Sequence, residues 1–221
     1  MTFAIPARIA VLADPKSKRR GVGPEAVERL LGAWLGNPVV LGHREDGSPL
    51  VTGADGHHIS IGHALGATAI ALADQKIGID ITALEINPAD RRVALNLFLP
   101  RERAWLDALP REQYSAGFAQ LWTLKEAVLK RDRRGLDRET LPDLTAMLTN
   151  MGTLPPLATI AWHPWAALEA GSSPGVPASG LMLAMPVGAL AMVGAHQAAL
   201  AQFASPAGNF ALAVAWTKAA A

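Results

Sequence analysis

The chain has no cysteine. That excludes a disulfide framework, a thiolate metal site and a catalytic thiol. A charge of one sign is also missing: 20 Lys and Arg stand against 19 Asp and Glu, for a net +1. A nucleic-acid binder normally carries a strong basic excess, so that partner class is set aside. Long apolar runs are lacking as well. Between Glu169 and Lys218 there is no charged residue, yet the most apolar part, LMLAMPVGALAMVGA at 181–195, is broken by Pro186, Gly188 and Gly194. It is shorter than the ~18 apolar residues that mark a membrane helix and reads as two buried strands about a Pro-Val-Gly turn. The start, MTFAIPARIAVLAD, has neither the basic opening nor the small-residue cleavage site of a signal peptide. It reads as a first strand, nothing in it points to export, and a cytoplasmic location is expected.

What is present is a chain of 221 residues that is 50% hydrophobic. That suffices for one domain of ordinary size or two small lobes sharing an interface. Residues 4–13 read as a strand, and 14–21, DPKSKRRG, as a basic loop. Pro24 opens an amphipathic helix, PEAVERLLGAWLG, at a favoured first-turn position. HREDGSPL is a turn-rich connection. HHISIGHALGATAIALAD holds two short strand-like runs, and IGIDI at 77–81 is a strand rich in branched residues. Helices are expected at 87–97, 101–109 and 112–131, with Gly135 as the stop after the last. Strands are expected at 157–163, 181–185, 189–195 and 210–216, and a loop at 171–180. ALGATAIALAD and PAGNFALAVAW share a glycine turn followed by small and branched residues, a weak internal repeat that would fit two related lobes.

Two stretches place charges where they are costly. In LWTLKEAVLK at 121–130, Glu126 and Lys130 sit four apart on one helix face. The plain reading is a surface ion pair worth ~0.2–0.5 kcal/mol; the sharper one is that both line a cleft. In IGIDIT, Asp80 is the lone charge in an apolar strand, so it should be paired, neutralised or metal-bound. A strand-end Asp accepting backbone hydrogen bonds is the structural alternative.

These stretches, taken together with FLPRERAW, resemble the 4′-phosphopantetheinyl transferases of the two-lobed, surfactin-synthetase-activating type. The family signatures are a G-[IV]-D-[IV]-E strand, an F-x-x-x-E segment and a W-x-x-K-E-[AS] helix running on to a lysine. The chain has Gly78-Ile79-Asp80-Ile81-Thr82, Phe98 with Glu102, and Trp122-Thr-Leu-Lys125-Glu126-Ala127 followed by Lys130. Gly62-His63 falls where the family has Ser-His, and Gly47-Ser48-Pro49 matches an upstream G-x-P. The resemblance is clear over 47–136 and poor over the first forty residues.

The resemblance implies an α+β pseudo-dimer of two related α+β lobes, 1–85 and 86–221, with the active site in the cleft between them. It implies transfer of 4′-phosphopantetheine from coenzyme A to a serine of an apo acyl, polyketide or peptidyl carrier protein, in fatty acid biosynthesis or secondary metabolism, with release of 3′,5′-ADP. Mg²⁺, or Mn²⁺, would be held by Asp80 and Glu126, with Thr82 at a third position, since such hard cations take carboxylates, phosphates and water. Glu126, or Glu102 through water, would take the serine proton, and Lys130 would face the leaving phosphate. Lys125 is implied at the coenzyme A phosphates, although it also falls on the apolar line of its helix and could snorkel there. His63 is implied at the 3′-phosphate, with Arg44 a further candidate; the run Lys16, Lys18, Arg19, Arg20 could reach the same group but reads better as a solvated loop. His57 and His58 read as exposed turn residues. Arg131, Arg133 and Arg134 could meet an acidic carrier helix or simply offset the helix dipole. A monomer would suffice.

The match departs at three places. Thr82 stands where the family has a second acid, Gly62 and Ala64 flank His63 in place of two serines, and the N-terminal part has no matching phosphate-binding arginine and lysines. These departures keep two rivals open. One is a degenerate relative that binds coenzyme A or a carrier domain without efficient catalysis. The other is a plain α+β domain whose charges are ion pairs.

Overall fold

A computed structural model describes residues 5, 7–85, 87–135, 141–144, 157–164, 182–184, 191–192 and 198–217. Strand β1 (Arg8–Ala13) is apolar on both faces because both are covered. Ile9 and Val11 face one core cluster, and Ala10 and Leu12 another. Helix α1 (Pro24–Leu35) lays Val27, Leu30 and Leu31 on the second of these clusters. It ends at Gly36, whose left-handed conformation lets its N–H reach the Gly32 carbonyl. The turn-rich connection is a hairpin, β2 (Val40–His43) and β3 (Pro49–Thr52). A second hairpin follows, β4 (His58–Ala64) and β5 (Ala67–Ala73), and then β6 (Ile77–Ala83).

Asn87 caps α2 (Pro88–Leu97) by accepting from the Ala89 N–H at 2.9 Å. Helix α3 (Pro100–Asp107) begins beyond Leu99. A 3-10 turn, Arg111–Gln113, leads into the long α4 (Tyr114–Asp132). Helix α4 stops at Arg133, left-handed at φ 52°, two residues before the glycine expected to end it. The remaining described strands are β7 (Leu157–Thr159), β8 (His163–Pro164), β9 (Met182–Ala184), β10 (Ala191–Met192), β11 (Ala198–Ser205) and β12 (Gly208–Trp216). The loop expected at 171–180 and the turn expected at 186–188 lie outside the described residues.

The strands form one sheet in the order β4-β5-β1-β9-β8 and another in the order β10-β11-β12-β6, with β7 parallel to β11. Apolar residues from both sheets meet in one cluster, among them Ile9, Val11, Ile79, Ile81, Leu212 and Val214. Helix α4 covers the opposite face of the second sheet, where Leu121, Leu124 and Ala127 pack with Ala198, Leu200, Ala213 and Ala215. The order of layers is therefore helix, sheet, sheet, helix, and the class is α+β. Strand β6 precedes residue 86 yet pairs with β12, and β8 and β9 follow residue 86 yet extend the sheet of β1. The two repeat-like stretches are the second strands of hairpins, β5 after Gly66 and β12 at Gly208, both glycines at positive φ.

Candidate active site

Strand β6 alternates strictly. Ile77, Ile79 and Ile81 face the core between the sheets, so Gly78, Asp80 and Thr82 face α4. Gly78 lets the helix lie directly on the strand. A Cβ there would overlap the Ala127 carbonyl and the Arg131 amide. The small cross-strand partners of Gly78 and Asp80, Ala215 and Ala213, leave the same room. This close approach brings the Glu126–Lys130 face of α4 to Asp80.

Lys130 Nζ donates to Asp80 Oδ1 at 2.6 Å and to the Ile61 carbonyl at 3.2 Å. Thr82 Oγ1 donates to Asp80 Oδ2 at 3.2 Å. The Asp80 side chain is nearly buried while Lys130 keeps 30% of its side-chain exposure. Glu126 is half-buried beside them. Its carboxyl is pushed above the ordinary carboxylate range, first by burial and then by the Asp80 charge, with Lys130 and Arg20 pulling the other way. Asp80, Thr82, Glu126 and Lys130, all singled out from the sequence, are thus brought together.

Strand β4 runs along the free edge of β6. Ser60 Oγ accepts the Ile79 N–H at 3.0 Å, occupying a backbone donor the sheet leaves unpaired. At Gly62 the two strands touch, since a Cβ there would stand 2.8 Å from Asp80 Cα. The glycine in place of a serine is therefore a packing requirement. Ala64 is buried in the core between the sheets, so neither flanking position shares the exposed side of His63.

His63 lies across from Thr68 in the β4–β5 hairpin, its Nδ1 3.1 Å from Thr68 Oγ1. Its basicity is lowered, first by burial and then by the charges of Lys130 and Arg20. Arg20 Nε donates to the His63 carbonyl at 3.1 Å. The basic loop is therefore not simply solvated: Arg20 turns towards the site. Thr68 and Ser60 escaped the sequence reading. Thr68 left a signal, being the one polar side chain in ATAIALA, across a tight turn from the histidine.

Glu102, expected to take the serine proton through water, and Lys125, expected at the coenzyme A phosphates, are instead bound to each other. Lys125 Nζ donates to Glu102 Oε1 at 2.9 Å and to the Pro142 carbonyl at 2.8 Å, and both side chains have zero exposure. Glu102 also accepts from the Leu99 N–H at 2.8 Å and the Leu144 N–H at 3.1 Å. Lys125 does not snorkel; its ammonium ends inside the protein. Phe98 serves the same packing, with Phe118 and Trp122 at centroid distances of 5.3 and 6.3 Å.

Arg44 is exposed at the β2–β3 turn, near Asp46. Beside that turn lies a cavity of about 280 Å³. Its wall includes Ser48 and Pro49 of the G-x-P segment, Lys76, Lys130, Arg133 and Arg134. His58 lines it too, as the first residue of β4 and only half exposed, rather than as an exposed turn residue. His57 is exposed, as expected, 3.5 Å from Asp74. Arg131 is partly spent on Asp132, at 2.8 Å. The cavity wall is cationic, and Lys130 belongs to both it and the Asp80 cluster.

The donor set suits a hard cation. Asp80 and Glu126 offer carboxylate oxygens, and Thr82 a hydroxyl beside them. Among the described residues no three His, Asp or Glu side chains gather closely enough to hold a metal alone. Two carboxylates are what Mg²⁺ uses when phosphates and water complete its shell.

Residues 76–170 match the 4′-phosphopantetheinyl transferase superfamily. The chain is 33% identical over 107 residues to the 4′-phosphopantetheinyl transferase psf-1 of Bacillus pumilus, covering 48% of this chain and 45% of that protein. It is 30% identical over 130 residues to HetI of Nostoc sp., covering 55% of each. A 4′-phosphopantetheinyl transferase of Bacillus subtilis is 30% identical over 98 residues, or 44% of this chain and 43% of that one. The matches thus span about half the length of these relatives. Residues 76–170, which include β6, α3 and α4, are thus similar to the 4′-phosphopantetheinyl transferase superfamily.

Proposed function

We propose that the protein transfers 4′-phosphopantetheine from coenzyme A to a serine of an apo carrier protein, releasing 3′,5′-ADP. The observation that carries this reading is the convergence of Asp80, Glu126 and Lys130 at one seam, inside the stretch that matches the family. Asp80 and Glu126 would hold Mg²⁺ or Mn²⁺. Such an ion, when bound, supplies charge neutralisation and polarises the phosphoryl oxygens.

The carrier serine Oγ attacks the β-phosphorus of coenzyme A. The bond from that phosphorus to the bridging oxygen breaks, and the oxygen leaves with 3′,5′-ADP. Glu126 takes the serine proton, a role that its raised proton affinity supports. Glu102 is not given this role, because it is fully buried on Lys125. Lys130 turns its ammonium to the charge that builds on the leaving phosphate. The cationic cavity and His63 receive the phosphates and nucleotide of coenzyme A, with Arg20 beside His63. A monomer with two lobes and coenzyme A between them fits the order of layers, in which each sheet carries its own helix, but the division at 85/86 is crossed by β6 in one direction and by β8 and β9 in the other. A cytoplasmic location fits the substrates, and no helix among the described residues is long and apolar enough to cross a membrane.

The test is intact-mass analysis of a panel of fatty-acid, polyketide and peptidyl carriers. Each is incubated with the protein, coenzyme A and Mg²⁺, beside a Glu126→Gln control. A gain of one phosphopantetheine, absent in the control, is expected on at least one carrier. No gain on any carrier, with coenzyme A still bound in calorimetry, would turn the reading to binding without turnover. Thr82, in place of an acid, favours that second reading because it limits the protein's carboxylates to two.

A further inference from the structure

Three consecutive loop residues close around His63. Arg20 donates to its carbonyl. Gly21, at φ 79° and held by its N–H to the Ala64 carbonyl at 2.7 Å, lies so close to the ring that a Cβ would overlap Nδ1. Val22 donates its N–H to Thr68 Oγ1 at 2.8 Å. Thr68 is fully buried, and its hydroxyl has one hydrogen to give and two lone pairs to receive. One lone pair takes the Val22 N–H. Among the described residues the other polar neighbour of this hydroxyl is His63 Nδ1, at 3.1 Å. If Nδ1 carried the ring hydrogen and donated it, the buried hydroxyl hydrogen would be left without an acceptor, which is costly. If the hydroxyl donates to Nδ1, every group is satisfied.

We infer that Thr68 is a positioning residue: its hydroxyl donates to Nδ1 of His63, fixing the neutral ring with its hydrogen on Nε2, a donor aimed at an anionic oxygen. Partial burial and the charges of Lys130 and Arg20 lower the basicity of the ring, which favours its neutral form. Asp80 opposes this and His43 adds to it. The ligand class is a phosphate or similar anion, which accepts from Nε2 and from the cations around it. That assignment rests on the proposed binding of coenzyme A, but the tautomer does not.

The experiment has two arms on the full chain. Long-range ¹H–¹⁵N correlation reads the His63 tautomer without any ligand. The hydrogen is expected on Nε2 in the native protein and in Thr68→Ser, while Thr68→Val shifts the ring to a mixture. A hydrogen on Nδ1 in the native protein, or an unchanged tautomer in folded Thr68→Val, would overturn the inference. A purely structural role for Thr68 would lower the melting temperature and leave the tautomer alone. Calorimetry then measures coenzyme A binding. Thr68→Val is expected to weaken it about tenfold, the worth of one oriented hydrogen bond, and Thr68→Ser less than about twofold. In a His63→Ala background Thr68→Val should add nothing, as expected when one residue acts only through the other. Equal added loss in that background would count against positioning. If the native protein has the Nε2 tautomer, lost in Thr68→Val, yet binds no coenzyme A, the positioning stands and the proposed function fails.

Discussion

Helix α4 carries two lysines five residues apart, and they are used in opposite ways. Lys125 pairs with Glu102 where neither side chain has any exposure, and the backbone of Leu99, Pro142 and Leu144 bonds to them as well. Lys130 pairs with Asp80 at the seam of β4, β6 and α4, with 30% of its side chain exposed, and among the described residues Glu126 has no bonded cation of its own. The first pair is closed. A pair with no exposure cannot reach a ligand, and breaking it strands a charge. The second is open. Its carboxylates are crowded, its lysine is part exposed, and a perturbed carboxyl beside a charged partner is of the kind that collects at functional sites. Proximity in sequence, even adjacency between Lys125 and Glu126, says little about which pair does the chemistry. The helical turn between them does.

The largest expected effect comes from removing the proposed base of the open site. Glu126→Gln should lower transfer by about 10²–10⁴-fold, the usual worth of a positioned proton acceptor, in single-turnover mass assays. Next is the closed pair. Lys125→Met should cost about 3–5 kcal/mol in urea unfolding, since Glu102 is then buried without its cation. A loss under about 1 kcal/mol there would erase the contrast between the pairs. Gly62→Ser should cost about 1–3 kcal/mol by pushing β4 off Asp80, and it should lower transfer too because Asp80 moves with it. If Gly62→Ser instead raised coenzyme A affinity, the hydroxyl would matter more than the packing.

The smallest effect is a pH dependence. The Glu126 carboxyl binds its proton more tightly when folded than when unfolded. Its contribution to stability is full at low pH, below the unfolded carboxylate range, and falls as pH rises through the raised folded value. Glu126→Gln should therefore melt close to the native protein at low pH and above it at neutral pH. A melting-temperature difference that does not change with pH would contradict the crowding of Glu126 and Asp80.

Much of this was legible in the sequence because it rests on alternation and spacing. The period of two in IGIDIT set Asp80 on one face with Gly78, and the four-residue interval set Glu126 with Lys130. Lys125 and Glu102 could not be assigned that way. Their burial depends on segment 141–144 folding back over α3 and α4, which no local pattern encodes. The hairpin of β2 and β3 was hidden by its turn residues, and β11 by alanines that favour neither state clearly. Gly62 looked like a lost donor from sequence, because only the crossing of β4 over β6 reveals what it touches. Thr68 was readable in principle, since a hydroxyl in an apolar strand needs a partner and His63 lies across the turn.

The most direct measurement sets the two lysines side by side. Lys125→Met and Lys130→Met, each verified as folded by circular dichroism at low temperature, are assayed for phosphopantetheine transfer to a carrier that the native protein modifies. Lys125→Met should still load the carrier in proportion to its folded fraction. Lys130→Met should fall by roughly 10²-fold while losing less stability than Lys125→Met, because Lys130 is part exposed and Thr82 still donates to Asp80. Loading by Lys130→Met at the native rate would contradict the account, because the open pair would then be no more than another ion pair on the helix.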